Sequence, residues 1–180
     1  MHHMKRPAPA SWSAAADPGV GQTCRDRMSN EVRPVAICIF RHADRILVAR
    51  GHDAVKGEHF MRPLGGRIEF GELAADALRR EIREELNAEI HEPELLGVLE
   101  DVYVYAGARC HDVVFVFDAK FRDDFLYDKV ALPIAEDWDG PATWLHLGAL
   151  GSVATPLYPT GLQALLLAHS PPEGHNVPEL

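Results

Sequence analysis

Apolar residues first gather at 35–40, where Val35, Ala36, Ile37, Cys38, Ile39 and Phe40 run without interruption. A β-branched run of this length predicts a buried strand. His42, Ala43 and Asp44 predict a turn into a second strand over 45–50, and the polar stretch 51–58 predicts a loop. Pro63, Leu64, Gly65 and Gly66 lead through Phe70 and Gly71 to a helix over 73–86. Two long strands follow, over 95–105 and 112–121, with Gly107 and Ala108 at the tip of a hairpin. In the run from Val113 to Phe117 neither alternating face is polar, which predicts a strand covered on both sides. Residues 123–141 form a long acidic connection, Thr143, Trp144 and Leu145 a short strand, and 160–168 a last helix with Pro159 near its first turn. This alternation predicts one α/β domain over 31–170, between a tail over 1–30 and a flexible end over 171–180.

The helix over 73–86 has an unusual pattern. At about 100° per residue, Ala74, Leu78 and Ile82 share a stripe, which predicts the buried face. Asp76, Arg79, Arg80 and Arg83 fall elsewhere. Glu85 falls between Ala74 and Leu78, Glu81 lies at the edge of the stripe, and Glu84 is one step further round. Like charges one turn apart cost an isolated helix roughly 0.2–0.5 kcal/mol, and burying unpaired carboxylates costs more. A divalent cation relieves both penalties. The bland alternative is a surface helix whose arginines neutralise the acids.

Composition narrows the choices. The 180 residues carry a formal net charge of −9, which argues against an extended nucleic-acid surface. Cys24, Cys38 and Cys110 are widely spaced and form no CxxC pair, so the expectation is neither zinc nor a disulfide framework, and a reduced, cytoplasmic setting. No apolar run reaches the length of a membrane span.

Residues 66–88 resemble the Nudix box, G-x5-E-x7-R-E-U-x-E-E-x-G-U, with U a bulky apolar residue. Gly66, Glu72, Arg80, Glu81, Ile82, Glu84 and Glu85 stand at its positions. Asn87 replaces the late glycine, and Ala88 is a small substitute for the last U. Asn is the residue that best tolerates the left-handed backbone of a helix end after Gly. The resemblance implies an α/β/α sandwich with a mixed sheet. It also implies Mg²⁺, with Mn²⁺ as an alternative, held by Glu81 and Glu85 with Glu84 in support and a backbone carbonyl of Gly65 or Gly66. Arg80 would orient the glutamates and Glu72 would brace the loop and helix. The implied reaction is attack of water on a diphosphate phosphorus, with a proton taken by Glu84 or another box glutamate, or by a distal acid, of which Glu136 ranks ahead of Asp137, Asp139 and Asp112.

For substrate, Arg62 is a candidate phosphate grip, and Phe60 and Tyr158 lead the candidates for stacking on a base, ahead of Tyr103, Tyr105 and Trp138. The expected partner is a small molecule linked to a nucleoside diphosphate, with no extended nucleic acid and no membrane. A homodimer is left open. Two rival readings are a catalytically silent nucleotide sensor and an enzyme acting on RNA 5′ ends.

Overall fold

The computed structural model describes residues 31–135, 138–149 and 155–169. Both predicted tails, over 1–30 and 171–180, lie outside the described residues, as do Glu136 and Asp137. Nine strands and two α-helices follow in the order β1 (Val32–Ile39), β2 (Arg41–His42), β3 (Arg45–Asp53), β4 (Glu58–Arg62), β5 (Leu64–Arg67), α1 (Ala74–Leu86), β6 (Ile90–Tyr105), β7 (Ala108–Phe121), β8 (Ala131–Leu132), β9 (Ala142–His146) and α2 (Leu162–Ala168) among those residues.

One sheet is mixed, in the order β5-β1-β7-β6, with β1 parallel to β7 and its other pairings antiparallel. The second runs β2-β3-β9-β8, with β4 also paired to β3. The side chains of β1 alternate between two cores. Ala36, Cys38 and Phe40 join Leu78 and Ile82 under α1, whereas Val35, Ile37 and Ile39 join Leu162 and Leu166 of α2. Period-two alternation therefore gives both helices an apolar seat, which is the expected α/β/α sandwich.

The patterned run at 113–117 behaves as expected, with Val114 and Val116 in the α2 core and Phe117 in the α1 core. Three expectations change. Residues 51–58 are not a loop: β3 continues to Asp53 and pairs with β4, with a turn only at 54–57. Backbone pairing outweighed side-chain polarity there, and Asp53 locks the turn by accepting the Val55 and Lys56 amides at 3.0 and 3.2 Å. The long hairpin begins earlier than its apolar pattern, at Ile90, because irregular pairing around 91–97 masks the period. Finally, Cys38 is free and buried, but Cys110 is disulfide-bonded, against the expectation of unpaired thiols.

Candidate active site

Helix α1 buries Ala77, Leu78, Ile82 and Glu85. Burial of Leu78 and Ile82 contributes about 1.5–3 kcal/mol each. That apolar contact carries Glu85 inward, where it is 2% exposed. Its Oε2 accepts the Gly65 amide hydrogen at 2.8 Å. The helix ends at Asn87, in the left-handed region at φ 50°, its amide donating to the Arg83 carbonyl at 2.9 Å. Asn thus fills the capping role that the sequence assigned to it.

The two glycines of β5 are sterically required. Gly65 lies at φ 125°, and a Cβ there would strike the Ala36 carbonyl of β1. A Cβ on Gly66 would occupy the space of the Glu81 carboxylate. Glu81 and Glu85 therefore converge on one glycine pair from one helix, with Glu81 12% exposed at its side chain. Glu84 lies beside Glu81, both accepting from Arg80 Nη1, but is more open to water. Its side chain is 53% exposed, on the outer side.

Arg80 is the hub between these groups. It donates twice to Glu72, at 3.1 and 3.0 Å, and once each to Glu81 at 2.8 Å, Glu84 at 3.1 Å and the Arg67 carbonyl at 2.9 Å. Its hydrogen bond to Glu72, with further help from Glu81, raises its pKa above the ordinary arginine value despite partial burial. The same contact holds the Glu72 carboxyl below its usual range. Glu72 also accepts the Glu69 amide at 3.2 Å, tying the loop to the helix. This fork-to-fork geometry suits Arg and not Lys.

Arg62, expected to grip phosphate, donates from Nη2 to the Gly65 carbonyl at 2.7 Å and lies 5.2 Å from the Trp138 ring centre. It is thus beside the glutamates but engaged with backbone. Phe60 projects from the same face of β4, two residues away. Its ring meets Tyr105 and Tyr158 edge-on, each at 5.9 Å. Arg62, Phe60 and Tyr158 are therefore brought together. Asp139 contacts His59 at 3.1 Å.

Sequence reasoning missed one network. Asp112 does not open a strand; it lies inside β7, 6% exposed, where Arg33 donates to it at 2.7 and 2.9 Å and the Tyr103 hydroxyl at 2.8 Å. Burial, then the Asp112 charge, pushes Tyr103 up to about 12. Asp112 is thereby engaged by Arg33 and Tyr103. The parallel register that sets Arg33 opposite Asp112 has no local signature in the chain.

The resemblance implies a divalent cation. Among the described residues no group of three or more His, Cys, Asp or Glu side chains is disposed to hold one. Two carboxylates nevertheless suffice for Mg²⁺, which keeps several waters and takes oxygen from one or two acids plus phosphate. The space that Gly66 leaves for Glu81, and the inward Glu85, fit that donor set.

The NUDIX domain model matches residues 31–165. The chain belongs to the Nudix family. A curated relative, the NAD-capped RNA hydrolase NudC of Pseudomonas fluorescens, is 31% identical over 133 residues, covering 72% of this chain and 42% of the relative. The chain thus spans less than half the length of that relative. Among solved structures, a MutT Nudix hydrolase from Burkholderia pseudomallei superposes with a TM-score of 0.56 at 22% identity, covering 76% of this chain and 98% of the other. A MutT protein from Bacillus halodurans gives 0.54 at 20% identity, covering 77% and 84%. These two likenesses concern the fold.

Proposed function

We propose that this chain hydrolyses the phosphoanhydride bond of a small molecule built on a nucleoside diphosphate. The observation that carries the reading is the convergence of Glu81 and Glu85 on Gly65 and Gly66, inside a family of hydrolases. Glu81, Glu85 and a carbonyl of the glycine pair would hold Mg²⁺ or Mn²⁺. Bound there, the cation supplies charge neutralisation for a diphosphate and lowers the pKa of water.

The chain's own residues do the rest. Arg80 fixes the Glu81 carboxylate and draws Glu84 to the outer rim, where Glu84 is open to water. Glu84 is the box residue assigned to accept the proton from the attacking water, and Glu136 is the distal alternative. Arg62, released from the Gly65 carbonyl, would meet phosphate oxygens by charge-assisted bonds. Phe60 and Tyr158 would pack against the base. A small substrate accords with a net charge of −9, and no helix among the described residues is long and apolar enough to cross a membrane.

The test is a phosphate-release screen with Mg²⁺ over nucleoside diphosphate derivatives, with products identified by mass. NAD belongs in the panel because the NudC relative is named for NAD-capped RNA. Metal-dependent cleavage of one compound between its phosphates is the expected result. No turnover of any compound, with nucleotide binding retained, would favour the silent sensor.

A further inference from the structure

At the Arg45 end of β3 lies an open cleft of about 500 Å³, within the roughly 300–1,000 Å³ common for small ligands. Strand register builds its floor. His42 pairs with Arg45, and Leu47 with Trp144, so His42, Arg45 and Trp144 share one face. Tyr127 completes the wall, its hydroxyl anchored by the Phe121 amide at 3.0 Å. The His42 and Tyr127 rings lie 5.5 Å apart at 22°, and Tyr127 and Trp144 lie 5.9 Å apart at 29°. The Arg45 guanidinium is 6.0 Å from the Trp144 ring centre, and the Lys129 carbonyl accepts the Trp144 indole N–H at 2.8 Å.

We propose that this cleft is an accessory binding site for a nucleoside monophosphate, separate from the glutamates. Tyr127 and Trp144 also cover the core beneath α1. Core packing accounts for their inner edges, but not for Arg45 beside the Trp144 ring or for Lys129 at the cleft, its ammonium 5.6 Å from the Phe125 ring centre. Among the described residues neither Arg45 nor Lys129 forms an ion pair, although the protein has an excess of acids, and Asp128 is the one carboxylate lining the cleft. Arg45 and Lys129 bind the phosphate, the ring wall stacks with the base, and Asp128 accepts a hydrogen bond from an exocyclic amine. Nothing in the cleft requires a divalent cation. The site therefore stands or falls independently of the proposed hydrolysis.

The test is calorimetric titration of the full chain with AMP in EDTA, with adenosine and inorganic phosphate as partial probes. AMP is expected to bind once per chain, at least about tenfold more tightly than either probe. The Arg45→Ala/Lys129→Ala double variant should weaken AMP by at least about tenfold, whereas Glu85→Gln should bind it as the unaltered chain does. Lys129→Glu, at an exposed position, gives the same reading if the double variant misfolds. The proposal is overturned if millimolar AMP gives no binding, if binding survives these changes at the cleft, or if it disappears in Glu85→Gln.

Discussion

The two sides of α1 use the same residue types for different ends. On the outer side Arg79 meets Asp76 at 3.0 Å and Arg83 meets Glu89 at 2.7 Å, with every partner more than a third exposed. Such pairs are hydrated, screened by salt and weak. On the inner side Glu85 is 2% exposed and Glu81 is seated over a glycine. Apolar contacts of Leu78 and Ile82 force those acids out of water, so their charge must be met inside the protein or by a bound cation. Arg80 spans the two sides, with one face of its guanidinium network on Glu72 and another on Glu81 and Glu84. One helix can thus carry an outer ion-pair surface and an inner pair of carboxylates, and depth rather than charge content separates them.

The comparison breaks most severely at Glu85. Glu85→Gln keeps the shape and an acceptor for the Gly65 amide but removes the charge. Metal-dependent turnover should fall by more than about a hundredfold, beyond the 10–100-fold that follows loss of a supporting partner, with the fold retained by circular dichroism. Gly66→Ala should approach that loss without altering any charge, because the new methyl displaces the Glu81 carboxylate; unchanged turnover would mean that Glu81 need not sit there. Arg80→Lys removes the paired donors while keeping the charge, and a roughly 10–100-fold loss is expected in metal affinity or turnover.

A pH effect sharpens the same contrast. The folded-state pKa of Glu72 is depressed, chiefly by its hydrogen bond from Arg80. The stability from this contact is therefore complete above the ordinary carboxyl range and is lost as pH falls through the lowered value. Arg80→Lys should flatten the acid side of a melting-temperature profile; an unchanged acid limb would deny the coupling. The smallest effect belongs to the outer side. Arg83→Ala should leave turnover unchanged, and any difference in melting temperature should shrink as salt is added.

The inner and outer sides of α1 were legible in the chain because helical period assigns depth directly. Ala74, Leu78 and Ile82 mark the stripe, and Glu85 falls within it. Asn87 was legible for a similar reason, since few residues accept a left-handed helix end. Glu84 is the most exposed of the three, and its link to Glu81 through one Arg80 nitrogen is not something helical angle alone encodes. Arg62 was placed beside the glycines, but its bond to the Gly65 carbonyl depends on the β4–β5 bend. The Arg33–Asp112–Tyr103 network depends on pairing between strands some 80 residues apart in sequence, an |i−j| of 79 for Arg33 and Asp112, and no local pattern encodes such a register. The aromatic cleft was hidden for the same reason, since His42, Tyr127 and Trp144 meet only through folding.

The most direct measurement is a titration with Mn²⁺, followed by electron paramagnetic resonance without substrate, on the unaltered chain and on Glu85→Gln. If the inward glutamates form a cation seat, the unaltered chain will take up Mn²⁺, Mg²⁺ will displace it, and the variant will bind far more weakly while remaining folded. Equal uptake by the two proteins would contradict the account.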